Sequence, residues 1–293
     1  MEAEGLFDTG LVRRNRLRAL SHAPQETDFL LKLVNRELSE RLATVERQFE
    51  TAVALHAHNG QLADLLAESE KVGRVLRIEQ DALMLEGAAG IATELELLPI
   101  ERGSTGLVVS SLSLHLVNDL PGLFVQVRQA LRPDGLLLAA LPGSGTLAEL
   151  RDSLIAAETE LLGGVSPRVI PFADVRDCGA LLQRAGFALP VVDAETYTVR
   201  YDNMFALMRD LRYMGMANPL RARSRRPAPR ALFLRAAQIY ADRYSDPDGR
   251  IRASFCVLYL SGWKPHESQQ KPLSPGSAKN SLAEALGTRE QKI

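Results

Sequence analysis

Two residues are spaced as in proteins that hold a nucleotide. Gly60 ends the loop after a first predicted strand, and Glu79 ends a second predicted strand 19 residues later. A strand, a glycine-bearing loop, a helix and an acid about 20 residues on form the plan of pockets for nucleotides and S-adenosylmethionine. The Glu79 carboxylate could there accept hydrogen bonds from both ribose hydroxyls. A solvated acid at a strand end is the equally weighted alternative, because a single acid is a weak signal.

Histidines are the second group with possible chemistry. His56 and His58 form a His-x-His pair that could chelate a metal with a third ligand from His115 or Glu79. We favour the interpretation that these two positions are no longer constrained by a bound cofactor. We predict no metal, because no local carboxylate completes a ligand set. His115 follows another predicted strand, where it could act as a base, hydrogen-bond a ligand or simply hold the loop. No catalytic residue is identified by type and spacing.

Alternating strands and helices must position these residues. The pattern predicts strands over 53–57, 72–78, 107–114 and 136–141, with helices over 61–67, 120–131 and 146–162 and a short helical turn over 81–85. Short polar loops between them indicate a parallel sheet covered on both faces. Further on, a helix over 175–185 precedes strands over 189–200 and 251–263. Helices over 204–214 and 230–244 separate these strands, which predicts a sheet edge with an inserted helical lid.

Local signals mark several ends of these elements. Arg132-Pro133-Asp134-Gly135 predicts a turn in which Gly135 tolerates a positive φ. Thr146 and Glu149 match the capping box T-x-x-E. Asp119 before Leu120-Pro121 predicts a helix cap with proline in the first turn.

Composition limits the class of protein. The 293 residues carry 35 Lys+Arg against 36 Asp+Glu, so a net charge of -1 argues against a nucleic-acid coat or a general membrane binder. No window approaches the roughly 18 apolar residues of a membrane-spanning helix. Two separated cysteines and no recognisable signal segment predict reduced thiols and a cytoplasmic protein. Two arginine clusters, 13–18 and 221–230, are interpreted as solvated surface, with contact of the second cluster with an acidic protein partner or a membrane surface as the less favoured alternative.

Three regions are predicted along the chain. Residues 1–45 form an N-terminal helical cap that could cover a pocket, because two amphipathic segments precede the first strand. Residues 46–265 form the main domain with a helical insertion near 203–245. Residues 266–293 form a polar tail with a short helix over 281–286.

Several segments together resemble one known family. They are Leu6-Phe7-Asp8, Leu11-Val12-Arg13-Arg14, Ser110 to His115, Val117 to Pro121, Ser166-Pro167-Arg168, Pro171-Phe172 and Gly262-Trp263 with His266 to Gln269. In this order they resemble the methyltransferase-fold assembly factors of respiratory complex I and their bacterial relatives. The chain is more distantly similar to the malonyl-carrier-protein methyltransferase of biotin synthesis.

The resemblance implies a class I, Rossmann-like methyltransferase fold with a seven-stranded sheet whose last strand runs antiparallel. It implies an S-adenosylmethionine pocket with Gly60, Glu79 and His115, and with Glu94 and Leu95 of an acidic stretch near the adenine. It also implies a protein client, a complex I subunit, on which an arginine is hydroxylated. Neither nucleic acid nor a membrane-spanning segment is expected.

The first cofactor motif departs from the family pattern A-L-D-L-G-x-G-x-G. Ala54 stands where that pattern has the acid, and His56 and His58 stand where it has glycines. Loss of the carboxylate removes a charge-assisted contact of about 1.5–3 kcal/mol. Two imidazole rings are also introduced where the backbone approaches the ligand. These substitutions predict that the fold is kept while S-adenosylmethionine binding is weakened or abolished.

Three functions are therefore open. The first is an S-adenosylmethionine-dependent protein that modifies an arginine of a complex I subunit. The second is a non-catalytic assembly chaperone, a pseudoenzyme, for such a subunit. The third is a carrier-protein or small-molecule methyltransferase.

Overall fold

A seven-stranded mixed sheet lies at the centre of the computed structural model, which describes residues 5–24 and 27–270. Its strands are β1 (Phe49–Leu55), β2 (Val72–Glu79), β3 (Gly90–Ala92), β4 (Thr105–Ser111), β5 (Leu131–Pro142), β6 (Ala188–Tyr201) and β7 (Ile251–Trp263). They lie in the order β3-β2-β1-β4-β5-β7-β6. β1 to β5 pair in parallel, and β7 is antiparallel to both β5 and β6. The expected seven strands and the antiparallel final strand are confirmed.

Eight α-helices cover the two faces of the sheet in the part of the chain that the structure describes. They are α1 (Thr9–His22), α2 (Phe29–Ala43), α3 (Gln61–Glu68), α4 (Leu120–Ala130), α5 (Ala148–Leu162), α6 (Val175–Arg184), α7 (Met204–Tyr213) and α8 (Arg230–Tyr244). One apolar cluster joins α2, α3, α5, α7 and α8 to one face, and a second joins α4 and α6 to the other. The predicted helices are confirmed to within a few residues.

The apolar runs in the sequence become the central strands because both faces of the sheet are covered. In β5, the segment from Leu136 to Leu141 is buried along its whole length. β6, at the edge, instead alternates between half-buried and exposed residues. A continuous apolar run therefore indicates a central parallel strand, and an alternating one indicates an edge.

Some local expectations are wrong. Near the start of β5, where Arg132-Pro133-Asp134-Gly135 was predicted to form a turn, Asp134 has the positive φ of 60°, while Gly135 has none. A Cβ on Gly135 would lie 2.8 Å from the Arg132 carbonyl oxygen, so close backbone approach is what requires this glycine. The predicted strand to Leu114 ends at Ser111, and Leu114 belongs to a 3-10 turn.

The capping box at α5 is also wrong. Thr146 Oγ1 donates a hydrogen bond to the Cys256 carbonyl at 2.8 Å, and the Glu149 carboxylate accepts from Ser254. No side chain caps the helix, and Leu147 precedes it with a φ of 54°. The two polar side chains therefore tie α5 to β7 instead of capping the helix.

The cap on α4 is confirmed, and its loss has a measurable cost. Asp119 Oδ1 accepts a hydrogen bond from the Gly122 amide at 2.9 Å, and proline stands in the first turn. We expect Asp119→Ala to lower the free energy of unfolding in urea by about 1 kcal/mol. Asp242→Ala, at an exposed position on α8, is the control and is expected to change it little. Equal losses in the two variants would contradict a capping role.

Several other sequence predictions can be compared with the structure. Cys178 and Cys256 are free thiols. No helix among residues 5–24 and 27–270 is long and apolar enough to cross a membrane. The two helices ahead of β1 and the two inserted between β6 and β7 occur where they were expected, while the three-region division stays a prediction. The helix expected over 281–286 lies outside the described residues.

Candidate ligand site between β1 and β4

A cavity of about 480 Å³ lies beyond the carboxyl ends of β1 and β4. From β1 the sheet continues to β2 and β3 on one side, and to β4 and β5 on the other. In open α/β sheets, ligands bind where the strand order reverses in this way. The cavity is walled by the β1–α3 loop, the residues after β4, α1, the start of α2, the start of α5, and two segments around 168–172 and 211–219. The N-terminal helices therefore cover this pocket, as expected.

The β1–α3 loop keeps a backbone suited to glycine. His56 has a φ of 51° and His58 a φ of 71°, in the left-handed region that disfavours L side chains. Gly60 has an ordinary φ of −71° where α3 begins, and it lines the cavity. The two positions at which the family pattern has glycines thus hold imidazoles in the conformation that glycine adopts most easily.

Glu79 is fully buried, so the interpretation as a solvated acid is wrong. Its carboxylate lies 3.4 Å from Arg77 Nη2 and accepts a hydrogen bond from the His58 amide at 3.3 Å. Burial raises the pKa of Glu79 to about 7, opposed by the positive charges of Arg77 and Arg16. The Arg77 guanidinium also donates to the Met84 and Leu85 carbonyls, which fixes it beside the acid. Glu79 therefore already has partners inside the protein.

The other residues expected at the cofactor fall in different places. Glu94 is exposed at the surface, and Leu95 is fully buried in the apolar cluster under α4 and α6. Of the five expected residues, Gly60 and His115 line the cavity, whereas Glu79, Glu94 and Leu95 lie outside its walls. As cofactor contacts, all five stay predictions.

His115 lies in the cavity wall just after β4. Its ring centroid is 6.3 Å from that of Phe172, and Nδ1 has no hydrogen-bond partner among the described residues. Burial, and to a smaller extent the nearby charge of Arg16, lowers the pKa of His115 to about 3. A base that is protonated only in strong acid is neutral at physiological pH, so His115 can accept or donate one hydrogen bond there. The nearby Asn118 accepts a hydrogen bond from the backbone amide of Phe7.

The sequence interpretation missed Arg16, which was assigned to a solvated cluster. Arg16 is only 4% exposed, lines the cavity, and donates from Nη2 to Ser113 Oγ at 2.8 Å. Burial lowers its pKa to about 10. The signal was helical spacing, because Arg16 shares with Val12, Asn15 and Ala19 the buried face of α1. By contrast, Arg13, Arg14 and Arg18 are exposed.

Three neutral imidazoles, those of His56, His58 and His115, lie near the Arg16 guanidinium. Burial first and the charge of Arg16 second lower the pKa values of His56 and His58 to about 3, as for His115. Within the described ranges, no group of three or more His, Cys, Asp or Glu side chains is arranged to hold a metal ion. A third ligand for the His56–His58 pair is therefore not in position.

The sheet order and the site define a protein of the class I methyltransferase fold. A family model described as "Methyltransferase domain" matches residues 55–139. The solved structure of the YcgJ protein from Bacillus subtilis superposes with a TM-score of 0.55 at 15% identity, covering 79% of this chain and 99% of that one. At this identity the likeness supports the fold alone.

Sequence relatives identify the family. The chain is 39% identical to the human mitochondrial arginine-hydroxylase NDUFAF5 over 95% of its length and 83% of the relative. The Dictyostelium discoideum protein of that name is 50% identical over 64% of this chain, which matches 43% of the relative's length. A malonyl-[acyl-carrier protein] O-methyltransferase from Xylella fastidiosa is 32% identical over 89% of the chain and 90% of the relative. The chain belongs to the NDUFAF5 family.

The cofactor of the methyltransferase fold does not fit the residues at the ends of β1 and β2. The Glu79 carboxylate is fully buried and held by Arg77, so a ribose would have to displace that guanidinium to reach it. Ala54 supplies no carboxylate, and the buried ring of His56 stands at the turn after β1. The open part of the site is the volume between His58, Ser111, His115 and α1.

Proposed function

We propose that this chain is a client-binding assembly protein of the NDUFAF5 family that works without S-adenosylmethionine. Its client, by kinship, is a subunit of respiratory complex I, because relatives that match 95% of the chain are arginine hydroxylases by name and complex I assembly is the role of that family. We also propose the cytoplasm as its compartment.

The state of Glu79 is the observation that carries this proposal. An acid that binds a ribose has to present its oxygens to a pocket, yet this carboxylate is fully buried and paired with Arg77. Releasing it would break contacts between buried charged groups, which costs several kcal/mol when a charge is left without a partner. The fold is therefore retained while the nucleoside half of the cofactor position is closed.

Calorimetric titration with S-adenosylmethionine tests the proposal. We expect no binding heat at millimolar ligand, because the ribose acid is sealed and the ammonium-binding acid is replaced by Ala54. The reaction product S-adenosylhomocysteine, which lacks the sulfonium charge, is the control ligand and is also expected not to bind. Binding of either compound in the micromolar range would contradict the proposal.

Client binding has its own test. Complex I subunits should co-purify with the tagged chain from its native cell, in extracts depleted of S-adenosylmethionine. Recovery of none of those subunits would contradict a client-binding role.

Arginine hydroxylation is a second candidate, favoured by 39% identity along nearly the whole chain. Peptide mass spectrometry of the co-purified client distinguishes it from pure binding. A hydroxylated arginine that disappears when the chain is deleted indicates the enzyme, and an unchanged arginine indicates the binder. The carrier-protein methyltransferase, supported by the more distant Xylella fastidiosa relative, predicts methyl incorporation into a carrier-bound acyl group.

A further inference from the structure

Several polar atoms around the cavity have no partner in the described part of the chain. They include Arg16 Nη1, Ser111 Oγ, His58 Nδ1 and His115 Nδ1, together with Arg168 Nε and Gln61 Oε1, and all six residues line the cavity. More than nine-tenths of buried polar groups in proteins are hydrogen-bonded, so unsatisfied groups around one volume call for an explanation. Arg16 and Ser111 are both more than nine-tenths buried, and each can donate a hydrogen bond.

Charge around the site is unbalanced. Glu79 is the acid whose charge acts on Arg16, and it is shared with Arg77, so two buried guanidinium groups face one carboxylate. The three imidazoles nearby are neutral at physiological pH. An anion placed beside Arg16 would gain a charge-assisted hydrogen bond and would offset this excess positive charge.

The remaining charged residues of the wall do not supply that anion. Arg168 is paired with Glu158, and Asp28 forms an ion pair with Lys32. Asp64 and Glu86 are exposed at the rim.

Much of the rest of the wall is apolar. It includes Leu30, Leu31, Leu112, Leu147, Leu150, Phe172, Met214 and Met216. Leu112 and Leu147 have positive φ values of 50° and 54°, which are unfavourable for a bulky side chain. Strain of this kind is concentrated at ligand sites. A volume of about 480 Å³ lies in the range that holds small organic ligands.

We propose that the cavity binds a small amphiphilic carboxylate. The carboxylate accepts hydrogen bonds from Arg16 Nη1 and the Ser111 hydroxyl, and the hydrocarbon body packs against the leucine, phenylalanine and methionine side chains. His115, in its neutral form, donates or accepts one further hydrogen bond at the polar end. The proposal does not rest on the proposed function, because it concerns this chain's own buried cation whether or not a client binds.

Titration calorimetry with octanoate tests the site. Octanoate is expected to bind the full chain at least tenfold more tightly than 1-octanol, which has the same apolar body without the charge. Octylamine, with the opposite charge, is expected not to bind. Free methionine supplies a carboxylate on an amino acid and is expected to bind more weakly than octanoate, because its ammonium group meets Arg16. Equal affinity for octanoate and octanol, tighter binding of methionine, or no octanoate binding would each overturn the proposal.

Substitutions test whether Arg16 provides the affinity for octanoate. Arg16→Gln is expected to lower octanoate affinity at least tenfold and to remove the preference over octanol, whereas Arg16→Lys retains part of that preference. Arg18→Gln, at an exposed position on the same helix, is the matched control with unchanged affinity. Ser111→Ala keeps the buried charge and is expected to weaken octanoate severalfold, which provides a test if Arg16→Gln does not fold. Octanoate affinity unaffected in both Arg16→Lys and Ser111→Ala would refute the assignment.

Discussion

The combined variant Ala54→Asp, His56→Gly, His58→Gly is expected to bind S-adenosylmethionine about a hundredfold more tightly than the natural chain. The restored carboxylate supplies a charge-assisted contact to the ligand's ammonium of about 1.5–3 kcal/mol, which corresponds to roughly ten- to a hundredfold in affinity. Removal of two imidazole rings opens the loop beneath the ligand. Together these changes act on the three positions at which the motif departs from the family pattern.

The backbone favours this repair. His56 and His58 already have φ values of 51° and 71°, so glycine enters both positions without a change of main-chain conformation. Relief of the left-handed strain should offset part of the packing lost with the rings, since such strain costs of order 1–3 kcal/mol per residue. The buried Glu79–Arg77 pair is the remaining obstacle, and a ligand has to compete with Arg77 for the acid.

Calorimetry of the triple variant, with circular dichroism to verify folding, measures the effect. The control is Ala54→Asp, His56→Ala, His58→Ala, which restores the acid and removes the rings without giving the loop the freedom of glycine. We expect this control to bind more weakly than the glycine variant. A folded triple variant that fails to bind would show that the cofactor position has been placed wrongly.

Stability should fall steeply in mild acid, by about 3 kcal/mol between pH 7 and pH 5. The folded-state pKa values of His56, His58 and His115 are lowered to about 3, chiefly by burial. Between about pH 3 and 6.5 the unfolded chain therefore binds up to three more protons at these residues than the folded chain. Since the unfolded state takes up the protons, the free energy of unfolding falls as the pH is lowered through this window.

Glu79 acts in the opposite direction. Its folded-state pKa is raised to about 7 by burial, so between pH 4.5 and 7 the folded chain binds the extra proton and gains stability as the pH falls. One acid offsets about a third of the effect of three histidines, which leaves the net loss given above. The charge of Arg16 acts on all four groups, because it lowers the pKa of each histidine and opposes the rise at Glu79.

Urea unfolding at pH 5, 6 and 7 measures this dependence. His115→Gln should reduce the acid-induced loss by roughly 2 kcal/mol, because one neutral buried imidazole is removed from the balance. His22→Gln, at an exposed position of α1, is the matched control and should leave the dependence unchanged. A stability that is constant from pH 7 to 5, or that rises, would mean that these rings are hydrated or protonated in the folded protein.

The main fold could be predicted because its signals are long. The continuous apolar run Leu136 to Leu141 allows little except a buried strand, and the helices between the strands are amphipathic. β3 could not be predicted, since it has three residues, no buried member and exists through pairing with β2. The capping-box error has a similar origin, because Thr146 and Glu149 bind β7, about 110 residues away in sequence.

The site was only partly predictable. Loop residues such as His58 and Gly60 were found because their positions follow from the strand before them. Arg16 was missed because a run of arginines is usually solvated, although its helical spacing from Val12 and Ala19 places it on the buried face of α1. The pairing of Glu79 with Arg77 depends on side-chain packing at the end of β2, which spacing along the chain does not encode.

Residues from Phe7 to Asn15 are joined by hydrogen bonds to the segment that follows α7. Phe7 forms a β-bridge with Leu220, the Asp8 amide donates to the Pro219 carbonyl at 2.9 Å, and Asn15 Nδ2 donates to the Ala217 carbonyl at 3.0 Å. Asn15, Ala217 and Pro219 line the cavity. Because these contacts join two segments of the cavity wall, a substitution that removes them is expected to loosen both segments together.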